Sequence, residues 1–85
     1  MYIIYSFLQQ DLCKPGDGIH QISETLISGM NTLQECRDAV RQQHPDANGF
    51  TFGDFGNRFC YAEIGMTGWG ASTKYQACIF GDKRK

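Results

Sequence analysis

Four cysteines are the residues of this 85-residue chain with the clearest chemistry: Cys13, Cys36, Cys60 and Cys78. A structural zinc site brings two ligands within about two to four residues of each other, and no two of these cysteines are that close. His20 and His44 do not complete such a pattern. An even number of cysteines in a small domain is typical of disulfides. The sequence therefore predicts two disulfides and no metal site, with buried free thiols as the alternative.

Catalytic residues are hard to find in this chain. His20 and His44 are the only candidates for a base that works at neutral pH, and both fall in turn or helix-end contexts. A cysteine nucleophile would need a free thiol beside one of them. Asp54 and Glu63 are candidates for a carboxylate pair, but carboxylates near hairpins are usually solvated. The sequence therefore favours a protein without catalytic activity and without a cofactor.

Trp69 is the first candidate for ligand contact, because an aromatic ring in a glycine-rich loop, which we predict at residues 65–72, offers a flat apolar face to a sugar or a protein. The alternative is that the indole folds back over the edge of a sheet. The other candidates combine aromatic surface with hydrogen-bonding groups; they are Tyr61, Glu63, Lys74, Tyr75 and Arg58. For Tyr75 a core position is equally expected, and Glu63 and Arg58 have a plain solvated position as the alternative.

The composition places these residues in a single globular domain. Hydrophobic residues make up 41% of the chain and charged residues 20%, which is typical of a folded domain rather than a disordered segment. We expect one domain over residues 1–85, with a core at about residues 2–80 and a basic tail at 81–85. A net charge of −1 provides no basic field for nucleic acid. No apolar run approaches about 18 residues, so we expect no insertion into a membrane.

One helix has a clear beginning and end in the sequence. Thr32 and Glu35 form a capping box, in which the threonine hydroxyl accepts from the amide of Glu35 and the carboxylate reaches back. Apolar residues then recur at helical spacing, and Pro45 ends the helix by residue 44. The pattern predicts a helix over residues 32–43.

The remaining segments favour strands. Apolar and alternating patterns predict them at residues 2–8 (Tyr2 to Leu8), near 25–27, at 49–52, 58–64 and 74–80, with turns at 14–18 and 53–57. The fold class predicted is α+β, an antiparallel sheet of about five strands with the helix packed across it. A strand at residues 2–8 would allow a homodimer if it lay at a sheet edge, with burial against the helix as the alternative.

The order of its motifs gives the chain a resemblance to a PAN/apple module. The resemblance extends over roughly residues 13–80 and consists of four motifs: a helix-borne cysteine, a "GFTF" strand, a "CY" strand and a late cysteine. In the same order, the residues that carry these motifs are Thr32-Leu33-Gln34-Glu35-Cys36, Gly49-Phe50-Thr51-Phe52, Phe59-Cys60-Tyr61 and Cys78. Such modules typically have three disulfides, and Val40 and Ala47 stand where one pair of cysteines would be. The resemblance implies the two remaining pairs, Cys13–Cys78 and Cys36–Cys60.

The resemblance also implies a function, since PAN/apple modules bind carbohydrates or proteins. Two disulfides indicate a secreted or extracellular protein, although the chain itself shows no signal peptide. We expect a non-catalytic, lectin-like recognition module, with a glycan favoured as partner. The alternatives are a protein–protein interaction module, including a self-associating one, and a small secreted defence or inhibitor protein. A contiguous apolar patch would favour a protein partner, and a shallow polar groove beside Trp69 would favour a sugar.

Overall fold

The structure is a computed structural model that describes residues 10–53 and 58–81. Within these residues the chain forms β1 (Leu12–Pro15), β2 (Asp17–Gly29), α1 (Leu33–Gln43), β3 (Gly49–Gly53), β4 (Phe59–Gly70) and β5 (Tyr75–Ile79). All strand pairs are antiparallel, and the order in the sheet is β1-β5-β3-β4-β2. The predicted α+β fold, five strands with one helix, is confirmed. No helix in the described ranges is long and apolar enough to cross a membrane.

Helix α1 begins where its capping residues predict. Thr32 has extended backbone angles, and its hydroxyl accepts a hydrogen bond from the Glu35 backbone N–H at 3.1 Å. The Glu35 carboxylate reaches back and accepts from the backbone N–H of Asn31 at 2.9 Å. These two bonds satisfy backbone donors that the helix itself leaves unpaired. The predicted helix is therefore confirmed, with Thr32 as its N-cap.

One face of the sheet packs against the helix and forms the core. Cys36 and Val40 of the helix are fully buried, and they belong to a cluster with Ala47, Phe50, Phe52, Cys60, Ala62, Cys78 and Phe80. The rings of Phe50 and Phe80 lie 5.5 Å apart between centroids. Because side chains alternate along β3, both of its phenylalanines point to this side, as the sequence predicts.

Two disulfides fix the helix and one sheet edge to the centre of the fold. Cys36–Cys60 joins α1 to β4 across 24 residues of chain. Cys13–Cys78 joins β1 to β5 across 65 residues, at a point where the two cysteines are directly opposite each other. These are the two pairs that the sequence resemblance implies, so the pairing is confirmed.

Strands β2 and β4 are longer than the sequence pattern predicts. The prediction of a short strand near residues 25–27 is wrong in extent, because β2 runs from Asp17 to Gly29. The prediction of a loop at residues 65–72 is also wrong, because β4 continues to Gly70. Their pairing shifts register in three places, which breaks the alternation that would identify β2 as a strand. The loop prediction depends on the glycines of residues 65–72, which the structure places within β4 as far as Gly70. A positive φ of 75° at Gly65 accompanies the irregularity.

The other segment predictions have mixed outcomes. The turn predicted at 14–18 is narrower, since only Gly16, with φ 133°, separates β1 from β2. The last strand is observed at Tyr75–Ile79 rather than 74–80. The strand predicted at residues 2–8 lies outside the described residues, as do most of the turn at 53–57 and most of the tail at 81–85.

The paired ends of β2 and β4, residues 17–20 and 66–70, fold over the sheet face that the helix leaves free. The Gly18 N–H donates to the hydroxyl of Thr51 on β3 at 3.0 Å. Trp69, opposite Gly18, donates its indole N–H to the carbonyl oxygen of Ala77 on β5 at 2.7 Å. Because β3 separates β4 from β5, this ribbon crosses the middle of the sheet.

The close approach of this ribbon requires glycine at position 18. A Cβ there would lie 2.8 Å from Thr51 Oγ1 and 3.1 Å from the side chain of Glu63. We expect Gly18→Ala to lower the free energy of unfolding by about 1–3 kcal/mol because the buried ribbon must shift. Gly68 in the same ribbon has nothing within 4 Å of its Cβ position, so Gly68→Ala should be nearly neutral. Urea unfolding measures both variants, and equal midpoints would contradict this packing.

Candidate functional site

The face of the sheet opposite the helix carries the residues with the clearest capacity for binding. In β4, Phe59, Tyr61 and Glu63 alternate with Cys60 and Ala62, and the cysteine and alanine are fully buried on the helix side. The sequence pattern predicts this division, and the structure confirms it. The ribbon covers one end of this free face, so the other end is the accessible part.

At that accessible end, four side chains form a surface that we call the aromatic patch: Leu26, Phe59, Tyr61 and Tyr75. Leu26 lies directly opposite Tyr61 across the β2–β4 pair. The ring of Tyr61 lies 6.5 Å from that of Phe59 and 6.2 Å from that of Tyr75, centroid to centroid, both in edge-on geometry. Leu26 is 53% exposed and Phe59 is 44% exposed. The patch is therefore contiguous and open to solvent.

Carboxylates lie along one side of the aromatic patch. Burial and the neighbouring Tyr75 raise the pKa of Tyr61, and the negative charges of Glu24 and Asp17 raise it further. Burial raises the pKa of Asp17 as well, with Glu24 as the second cause. The apolar surface therefore has an acidic border formed by strand β2.

The structure gives Trp69 a different role from the other predicted site residues. Its indole N–H is bonded to Ala77, and the Lys14 ammonium lies 4.7 Å from the ring centroid. The indole therefore covers the sheet, which is the alternative that the sequence leaves open. This contact joins β4 to β1 and β5.

Lys74 and Arg58 are exposed residues beside strand ends. The Lys74 backbone N–H donates to the Ser72 hydroxyl at 3.1 Å, immediately before β5. Arg58 has a φ of 59°, and its backbone bonds to Gly53 and Met30 hold the start of β4. Arg58 and Lys74 each precede a patch residue in sequence. Of the six predicted site residues, the structure therefore brings Tyr61 and Tyr75 together directly and sets these two cations next to the patch in the chain.

Glu63, the sixth, is fully buried beneath the ribbon. Its Oε2 accepts a hydrogen bond from the Thr51 hydroxyl at 2.6 Å. Its Oε1 is buried, has no hydrogen-bond partner and lies 3.3 Å from His20 Nδ1. Burial, with the adjacent Glu24 as second cause, raises the pKa of Glu63 to about 9. The His20 Nδ1 atom also lies 3.6 Å from Glu24 Oε1, so three polar side chains meet here.

Leu26 and Phe59 in the patch, and the cluster around Glu63, are not predicted from the sequence. The opposite placement of Leu26 and Tyr61 depends on the register of β2 against β4, which shifts just after Leu26. His20 and Glu24 would be about 13 Å apart along a regular strand. They meet at Glu63 because the register shifts between His20 and Ser23. The only sequence signal for the patch is the high proportion of aromatic residues in 59–61.

The cysteines offer no nucleophile, since all four form disulfides. His44 lies at the end of the helix, where its backbone N–H donates to Val40. Among the described residues, the aromatic patch and the His20–Glu24–Glu63 cluster are two features with a capacity for binding.

Comparison with known proteins returns no match, whether to a protein-family model, to a curated protein or to a solved structure. The resemblance to PAN/apple modules therefore stays a hypothesis. What the protein does must be inferred from the geometry of this chain.

Proposed function

We propose that this chain is a non-catalytic extracellular recognition module that binds a protein segment through the aromatic patch. The observation that carries the proposal is the contiguous, exposed group of Leu26, Phe59, Tyr61 and Tyr75 on the sheet face without a helix. Tyrosine and phenylalanine are enriched at protein interfaces, where a large apolar body and a hydrogen-bonding end are both used. The two disulfides are compatible with an extracellular location.

A protein partner is favoured over a glycan by what the patch contains. Leu26 and Phe59 are its most exposed members, and contiguous exposed apolar patches are typical of protein interaction sites. Trp69, the ring first expected to stack on a sugar, already bonds within the fold. The acidic border of Asp17 and Glu24 indicates a partner that places lysine or arginine beside apolar side chains.

A second copy of this chain is a poorer partner for this surface. A symmetric pair would bring the same patch of each copy together, with the carboxylates of Asp17 and Glu24 from both copies in one interface. Strand β2 is an edge strand, but its three register shifts interrupt the regular backbone that edge-to-edge pairing needs. The strand at residues 2–8, through which the sequence would allow a homodimer, lies outside the described residues.

Carbohydrate is the second candidate, and one observation supports it. The negative charges of Glu24 and Asp17 act on Tyr61, so strong hydrogen-bond acceptors lie within electrostatic range of an aromatic surface. A sugar uses that combination, with its apolar face on the ring and its hydroxyls on the carboxylates. The test below separates this candidate from a protein segment.

Selection of displayed peptides on the immobilised, oxidised protein tests the proposal with an unbiased set of ligands. We expect the recovered sequences to place lysine or arginine next to large apolar residues. Leu26→Ala should weaken binding of a recovered peptide about fivefold to tenfold, because an exposed apolar contact is lost from the patch. Leu12→Ala is the matched control, since this leucine is also 53% exposed but lies on the opposite edge strand, β1.

The wild-type protein, Leu26→Ala and Leu12→Ala are also applied to a glycan array. Retention of glycans that depends on Leu26, with no peptide recovered, would move the assignment to carbohydrate. Equal weakening by Leu26→Ala and Leu12→Ala would show that the patch is not the binding surface. Absence of both peptide and glycan binding would contradict a recognition function for this face.

A further inference from the structure

The cluster of His20, Glu24 and Glu63 contains two carboxyl groups but only one imidazole. The carboxyl groups of Glu24 and Glu63 both lie beside the single imidazole of His20, and Asp17 acts electrostatically on Glu63 as well. His20 is the only partner among the ion pairs that Glu24 and Glu63 form within the described residues. A buried excess of carboxylates is stable only if something else supplies positive charge or a proton.

One buried oxygen atom, Glu63 Oε1, has no hydrogen-bond partner and marks where a cation would fit. Glu63 Oε1 is buried and accepts no hydrogen bond, although Oε2 of the same carboxyl is bonded to Thr51. Buried polar atoms are satisfied in the great majority of native structures, so an unsatisfied one points to a missing partner. Oε1 points toward His20 and Glu24, because the ligand atoms of all three residues lie within 4.8 Å of one another.

Two of the three distances between these atoms match those between neighbouring ligands of a tetrahedral metal ion, and the third, between Glu24 and Glu63, is no more than 4.8 Å. His20 Nδ1 lies 3.3 Å from Glu63 Oε1 and 3.6 Å from Glu24 Oε1. Zinc binds imidazole nitrogen and carboxylate oxygen at about 2.0–2.2 Å, which places neighbouring tetrahedral ligands about 3.3–3.6 Å apart. The side chain of His20 is 40% exposed and that of Glu24 26% exposed, so the fourth position would face solvent.

We propose that His20 Nδ1, Glu24 and Glu63 Oε1 form a binding site for a divalent transition-metal ion, with Zn²⁺ as its first candidate. One imidazole nitrogen and two carboxylate oxygens are ligand types that zinc binds, and three of them leave a fourth position open. Imidazole favours zinc and its neighbours in the transition series over Mg²⁺ and Ca²⁺, which prefer oxygen alone. The proposal shares Glu24 with the acidic border of the binding surface proposed above, but it does not rest on that surface.

Titration calorimetry with ZnCl₂ on the untagged, oxidised protein tests the site. We expect saturable binding of one ion per chain, and no saturable binding of MgCl₂ or CaCl₂. His20→Ala should weaken zinc binding about tenfold or more, since even loss of a residue that only supports a metal ligand costs that much. His44→Ala is the matched control, because it removes the other histidine of the chain from a position at the helix end.

Two further measurements keep the test decisive. Nitrogen chemical shifts of the imidazoles should change at Nδ1 of His20 and stay unchanged at His44 on addition of zinc. Glu63→Gln should weaken zinc binding as His20→Ala does. If Glu63→Gln does not fold, the zinc affinity of His20→Ala, a substitution at an exposed position, decides the test. No saturable binding by the wild-type protein, or equal affinity in His20→Ala, would overturn the proposal. A loss of binding in His44→Ala instead would assign the ion to an adventitious surface contact.

Discussion

Reduction of both disulfides should unfold this domain. Closing loops of 65 and 24 residues restricts the unfolded chain, and each bridge should contribute about 3–4.5 kcal/mol. Domains have a net stability of only about 5–15 kcal/mol, and a chain of this length has a small core. The two bridges together therefore account for most of the stability.

The two bridges should differ in their structural effect. Cys36 and Cys60 are fully buried between the helix and β4, so their replacement by alanine also removes core volume. Cys13–Cys78 joins strands that already pair, and only Cys78 of this pair is buried, so Cys13→Ala with Cys78→Ala should remove less core volume and act more through the unfolded state.

Near-UV circular dichroism and amide shift dispersion, recorded with and without dithiothreitol, measure the effect of reduction. The oxidised protein under the same buffer and temperature is the control. An unchanged near-UV spectrum in the fully reduced protein would show that the core holds the fold without its bridges, contrary to this account.

Replacement of Trp69 by alanine should destabilise the fold by about 3 kcal/mol without removing partner contact. The indole lies over β5 in contact with Ala77 and Lys14, so its truncation loses buried apolar area together with a hydrogen bond. Trp69→Phe keeps most of the apolar area and should cost only about 1–2 kcal/mol. Urea unfolding of the three proteins gives these differences.

Binding measured on the same variants separates the two roles of this tryptophan. At a temperature where Trp69→Ala is still folded, its affinity for a selected peptide should equal that of the wild-type protein. A stable Trp69→Ala variant that has lost the peptide would return Trp69 to the binding surface and contradict the structural role described here.

The helix and the central strands could be predicted from the sequence because their signals are local. Thr32 and Glu35 fix the start of the helix through hydrogen bonds that span three residues, and Pro45 limits its end. The alternation of Phe50 and Phe52 assigns β3 to the core in the same way. A regular element whose ends are marked by its own residues can be predicted without the rest of the chain.

The long pairing of β2 with β4 and the residues of the two sites could not be predicted, because they depend on the register between segments far apart in sequence. Leu26 meets Tyr61, and His20 meets Glu63, only through a pairing whose register shifts are not encoded in either strand alone. For the same reason the glycine-rich segment around Trp69 predicts a loop where the structure has a strand. The place of Trp69 over β5 follows from the ribbon crossing the sheet.

The central claim is that the sheet face without a helix is the recognition surface, and amide shift mapping tests it most directly. A peptide recovered by display selection is added to ¹⁵N-labelled, oxidised protein. We predict that the shifts change at Leu26, Tyr61 and Tyr75 and stay unchanged along α1. Shifts confined to α1, or no saturable shift with any recovered peptide, would contradict the claim.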